Sequence, residues 1–229
     1  MERHFHEELQ KLKETLLIMA SAVETSISKA IDALVERNSP LAEEVIQMDK
    51  KINNLEVSID EQCLKLLATQ QPMAIDLRFI TSAMKINNDL ERMGDHSVNI
   101  AELVKILNEQ ELLKPLIDIP RMANLAQMMV KDSLDSFING NVEQAQSVCI
   151  RDDEVDKLDD QLFRELLTYM MNDTQTIARA LDLVLISKNL ERIADLSTNI
   201  AEEVIFIYRA KMVKHHKATL ELEDIRPRS

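Results

Sequence analysis

Apolar Leu90, Met93, Ile100 and Val104 fall on one stripe of a helix. Glu91, Asp95, Asn99 and Glu102 form a second, polar stripe, expected to border a bundle interface. Helical periodicity of this kind runs through most of the chain and is interrupted only by prolines, glycines and short polar breaks. Asn38-Ser39-Pro40 separates the first two periodic stretches, with Ser39 expected as N-cap and Pro40 at the first helical position. Gln70-Gln71-Pro72 breaks the second stretch, and Lys114-Pro115 and Ile119-Pro120 bracket a linker. Asn139-Gly140-Asn141 is a helix stop, and Asp173 or Thr174 is placed to cap the last helix. The punctuation predicts six helices, at roughly 3–37, 40–69, 73–110, 118–139, 142–171 and 174–213, followed by a polar, flexible tail over 214–229. A helix of 38 residues would be about 57 Å long, which fits an elongated antiparallel bundle better than a compact globule.

The stripe is written twice. Residues 90–102 (LERMGDHSVNIAE) return one hundred positions later as 190–202 (LERIADLSTNIAE). The retained positions include Glu91/Glu191, Asp95/Asp195, Asn99/Asn199 and Glu102/Glu202, so the copy keeps a polar surface as well as a core. The likeness extends backwards. Leu34 aligns with Phe137, Asn38 with Asn141, Asp49 with Asp152, Ile52 with Val155, Asn53 with Asp156 and Glu56 with Asp159. Helices one to three therefore match helices four to six. The expected fold is all-α, a tandem duplication of two antiparallel three-helix bundles related by a pseudo-twofold, with repeats at 1–112 and 113–213.

Composition fits this reading, with 2 Gly, 5 Pro and no Trp in 229 residues. The net charge of −13 argues against nucleic acid and anionic lipid and favours cations or basic protein patches. No apolar run approaches the ~18 residues of a membrane span. Cys63 and Cys149 lie in apolar contexts without C-x-x-C spacing and read as reduced thiols of a cytoplasmic protein. The start of the chain is not a signal peptide.

Like charges at i,i+4 destabilise a helix by about 0.2–0.5 kcal/mol. Keeping Glu91/Asp95 and Glu191/Asp195 implies something that offsets the repulsion. Asp152 and Asp156 repeat the spacing on the preceding helix, where the first half has Asp49 and Asn53. Antiparallel packing would turn these oxygens toward Glu91 and Asp95, or toward Glu191 and Asp195. Such a set suits Mg²⁺, Mn²⁺, Fe or Zn²⁺. The second bundle is expected to bind more tightly, because Asp156 is charged where Asn53 is not. The competing reading is a solvated acidic face paired with Arg or Lys, and Arg92 and Arg192 stand beside it. Gly94 and Ala194 read as close-packing positions. His96, replaced by Leu196 in the second copy, reads as a surface residue, and His215 and His216 as adventitious metal binders. The methionines read as core filler. There is no Glu-x-x-His signature, glycine-rich phosphate loop or activated nucleophile, so an enzyme is not expected.

Gln71-Pro72-Met73-Ala74-Ile75-Asp76-Leu77-Arg78, the two Leu-Glu-Arg blocks and Leu167-Thr168-Tyr169-Met170-Met171, taken in order, resemble the PhoU family of bacterial phosphate regulators. The resemblance spans about Leu9 to Tyr208. It implies a tandem of three-helix bundles. It implies multinuclear Fe or Zn²⁺ held by Asp49, Glu91 and Asp95 and by Asp152, Asp156, Glu191 and Asp195, with Asn53 and Ala194 departing from the family pattern. It also implies a non-enzymatic regulator that binds the ATPase subunit of the phosphate ABC transporter and a phosphate-sensing histidine kinase, restraining both when phosphate is plentiful. Arg92 and Arg192 are candidate partner-binding residues, and a homodimer is the expected assembly. The alternatives from other classes are a carboxylate-bridged metalloenzyme and a metal-storage protein.

Overall fold

A computed structural model describes residues 2–209; the predicted tail, with His215 and His216, lies outside the described residues. The described chain forms six long helices and no strand: α1 (Glu2–Val35), α2 (Ser39–Gln70), α3 (Ala74–Asn108), α4 (Asp118–Asn139), α5 (Val142–Asn172) and α6 (Ile177–Arg209). No described helix is long and apolar enough to cross a membrane.

The caps explain where the predicted bounds shift. The N-cap of α2 is Asn38, whose side chain accepts from Leu41 N at 3.1 Å, and not Ser39. Asn reaches the third helical N–H at least as well as Ser. Ser39 Oγ is left to accept from Asn108 at 3.2 Å. The equivalent Asn141 caps α5 through Gln144 N at 3.0 Å. α1 ends at Val35, because Arg37 takes φ 56° and donates to the carbonyls of Asn108, the last residue of α3, and of Gln110 just beyond it. Gly140 closes α4 at φ 68°. Asp173 caps a 3₁₀ turn, Thr174–Thr176, that precedes α6.

Helix α1 packs on α2 and α3, and α4 packs on α5 and α6. The halves meet through two further junctions, α3 with α6 and α1 with α4. Each junction joins a helix to its own repeat equivalent, as a twofold requires. Along α3 and α6 the linked pairs are Arg78 with Ile207 O, Ser82 with Glu203 and His96 with Asn189, so the two helices run antiparallel. The ladder's midpoint lies beside Arg92 and Arg192.

Small differences between the repeats compensate one another. A Cβ on Gly94 would stand 3.0 Å from Ile52 Cδ1 and 3.3 Å from its Cγ2. The second repeat has Ala194 in that position and Val155, which lacks a Cδ1, opposite. The added methyl at 194 thus accompanies a methyl lost at 155. Gly94→Ala in an Ile52→Val background should recover helix propensity, a gain of up to about 1 kcal/mol. In the native background the same change should gain at least ~0.5 kcal/mol less, because Ile52 must yield. A double-mutant cycle in urea measures the difference, and additivity would separate the two positions.

Candidate functional site

Antiparallel packing of α2 on α3 sets Asp49, Asn53 and Glu56 against Glu91 and Asp95. Asn53 Nδ2 donates to Asp49 Oδ2 at 2.8 Å. The remaining side-chain oxygens, Asp49 Oδ1 and Asn53 Oδ1, are buried and accept no hydrogen bond. Burial raises the Glu91 carboxyl above its usual range, and the charges of Asp95, Glu56 and Asp49 add to that against a small opposing effect of Arg92. Burial also raises Asp95, with Asp49 acting the same way and His96 opposing. The three predicted first-repeat residues, Asp49, Glu91 and Asp95, are therefore brought into one acidic cleft.

The second repeat builds the same cleft from α5 and α6. Asp152 is buried and Asp156 half-buried. Burial raises Glu191, Lys188 opposes the rise, and Asp195, Asp159 and Asp156 add to it. Lys188 Nζ lies 2.6 Å from Asp159 Oδ2 and 3.8 Å from Glu191 Oε1. Ser187 Oγ donates to the other Asp159 oxygen at 2.8 Å.

In both clefts the carboxylates stand apart. Among the described residues no three His, Cys, Asp or Glu side chains converge closely enough to hold one ion as they are placed.

Sequence reasoning missed three members of these clefts. Glu56 and Asp159 are aligned acids of the repeat, and that alignment is the signal that could have found them. Lys188 carried no repeat signal, since its counterpart is Asn88. The expected four-residue stripe also divides. Glu91 faces α2, whereas Asn99 reaches across to Asn189 of the other repeat at 3.4 Å. Asn199 and Glu202 line a cavity of about 440 Å³ between α3 and α6, beside Asp89 and Glu203. A face about 80° wide has room for two neighbours.

His96 is not a surface residue. It is half-buried at the repeat junction, with Nδ1 2.9 Å from Asn189 Oδ1. Arg92 and Arg192 are exposed; Arg92 lies 3.6 Å from Asp89 on its own helix, not against a neighbouring one.

The PhoU domain model matches residues 16–104 and again 119–204. The chain belongs to the PhoU family. PhoU relatives match it along nearly their whole length. A "Phosphate-specific transport system accessory protein PhoU homolog" of Aquifex aeolicus is 44% identical over 91% of this chain and 94% of its own. A protein of the same description from Pseudomonas aeruginosa is 37% identical over 97% and 93%. The crystal structure of PhoU from Pseudomonas aeruginosa superposes with a TM-score of 0.87 at 38% identity, covering 90% of this chain and all of the other. The phosphate transport system regulatory protein PhoU from Streptococcus pneumoniae gives 0.85 at 32%, covering 91% and 99%.

The first-repeat cleft suits a hard cation by its donor set. It offers hard oxygen donors, two buried oxygens that accept nothing, and carboxylates whose charge is disfavoured by burial and by one another. A cation held there would meet each of these demands and would join α2 to α3.

Proposed function

We propose that this protein is a cytoplasmic, non-enzymatic regulator of phosphate uptake and signalling. It binds the ATPase subunit of the phosphate ABC transporter and a phosphate-sensing histidine kinase, and holds both in check when phosphate is abundant. The observation that carries the reading is chain-long similarity, in both repeats, to relatives named as accessory proteins of the phosphate-specific transport system. Long helices offer broad faces for docking. The net charge of −13 favours basic patches on partners and encounter rates that fall with added salt. Exposed Arg92 and Arg192, at the centre of the repeat junction, are the residues assigned to partner contact. The acidic clefts of both repeats, through Asp49, Glu91 and Asp95 and through Asp152, Asp156, Glu191 and Asp195, hold Fe, Zn²⁺, Mn²⁺ or Mg²⁺ as regulatory or structural ions. The working assembly is a homodimer.

Deleting the gene should give phosphatase expression in high phosphate, and restoring it should reverse that. Complementation with Arg92→Glu or Arg192→Glu should be weaker at unchanged helical content. Normal repression and normal phosphate uptake in the deletion strain would rule out the regulatory reading. Hydrolase or oxidase turnover by the metal-loaded protein would replace it with an enzymatic one.

A further inference from the structure

The two clefts differ in one cation. In the second repeat the Lys188 ammonium is 2.6 Å from Asp159, which is only 3% exposed, and 3.8 Å from Glu191. Ser187 secures the other Asp159 oxygen. In the first repeat position 188 corresponds to Asn88, an exposed amide. Position 187 corresponds to Asn87, whose amide donates to the backbone of Glu56 and to Asp60, not to the Glu56 carboxylate. No lysine stands where Lys188 does, and this is what separates the clefts: buried oxygens that accept no hydrogen bond occur in both, Asp49 Oδ1 and Asn53 Oδ1 in the first and Asp152 Oδ1 in the second.

We infer that Lys188 is a built-in counter-ion that occupies the second cleft, so that the first cleft is this protein's high-affinity divalent-cation site. The inference rests on the metal reading proposed above and reverses the order that Asp156 alone predicts. Formal charge does not decide the matter. The second cleft has one carboxylate more, Asp156 in place of Asn53, and Lys188 cancels it. Position decides. An ion entering the second cleft at Asp159 and Glu191 must displace an ammonium that both carboxylates already face. What it gains is reduced by the ion pair it breaks and by the like charge left nearby. An ion entering the first cleft displaces only water. The ion itself offsets the mutual repulsion of Glu91, Asp95 and Asp49 and supplies a partner for the buried Asp49 Oδ1 and Asn53 Oδ1.

Zn²⁺ or Mn²⁺ titrated calorimetrically into the full-length protein, with elemental analysis after dialysis, tests this. The native protein should show one tight class of sites and one at least ten-fold weaker. Asp49→Asn should remove the tight class, and Asp152→Asn should spare it. Lys188→Asn should strengthen the weak class at least ten-fold without moving the tight one. Asn88→Lys, a change at an exposed position that keeps the test open if Lys188→Asn fails to fold, should weaken the tight class at least ten-fold. Two equal classes in the native protein, or a tight class that follows Asp152, would remove the role of Lys188 and leave the metal reading standing. So would titrations in which neither lysine exchange moves either class. No binding by the native protein or by Lys188→Asn would overturn the metal reading and the inference together.

Discussion

Phe137→Ala should destabilise the folded chain by about 3–5 kcal/mol, the range for a fully buried phenylalanine cut back to alanine. Phe137 on α4 is 0% exposed. Its ring stacks on Phe79 of α3 with centroids 4.6 Å apart and planes 14° apart. The Lys13 ammonium of α1 lies 5.0 Å from the Phe79 ring centre. The cluster therefore joins α1 and α3 of the first repeat to α4 of the second. Truncation removes apolar burial, leaves a cavity that three helices must close, and forfeits an aromatic pair of about 0.5–1.5 kcal/mol. Phe137→Leu should cost much less, since the aligned first-repeat residue is Leu34, itself buried. Urea unfolding followed by circular dichroism measures both. A fall in midpoint at constant slope is expected, because the ring bridges the repeats and the chain unfolds as one unit. A loss below about 1 kcal/mol, or a second transition appearing only in Phe137→Ala, would show that the stack does not hold the repeats together.

The fold was legible because it is written in two strong codes. Heptad-like spacing fixes which face of each helix is buried, and Asn38, Pro72, Gly140 and Asp173 mark where helices start or stop. The misplacements are local. Asn38 caps α2 in place of Ser39, since both residue types cap well and only geometry chooses between them. The site was legible as far as duplication reached. Asp49, Glu91 and Asp95 lie on one side of the α2–α3 pair without converging on one point. Duplication was silent where the copies diverge. Lys188 has no echo at Asn88 and His96 none at Leu196, yet these two side chains make the second cleft and the repeat junction differ from what symmetry alone provides. Helical angle was the other limit. Asn99 lies about 80° round from Glu91, enough to turn it to a different neighbour, and the choice between neighbours depends on how the repeats dock.

Glu91→Gln should stabilise the metal-free protein at neutral pH and make it the less stable of the two once metal is added. The Glu91 pKa is raised in the folded state by burial and by Asp95, Glu56 and Asp49. Above that raised pKa the native protein must carry a charge that the unfolded chain holds more easily, so ionised Glu91 subtracts from stability. As pH falls through the raised pKa the native state takes up a proton that the unfolded state does not yet bind, and stability is recovered. Below the unfolded pKa both states are protonated and nothing more is gained. Glutamine lacks the group that titrates, so its advantage should be complete at neutral pH and fade through the carboxylate range. Other carboxylates contribute both signs there, since burial raises Glu24, Asp95, Asp182 and Glu191 as it raises Glu91. Hydrogen bonds from Lys65 and Lys105 lower Glu8 and Glu43, which lose their stabilising effect on acidification. Only the difference between wild type and Glu91→Gln isolates the cleft. Zn²⁺ at about a hundred times its dissociation constant should add about 2.7 kcal/mol to the wild type, since it binds the folded state alone. It should add less to Glu91→Gln, which has lost a charged ligand. The order of the two melting temperatures should therefore invert between chelator and Zn²⁺ at neutral pH. An order that stays the same in both conditions would remove Glu91 from the cation site, whichever protein proved the more stable.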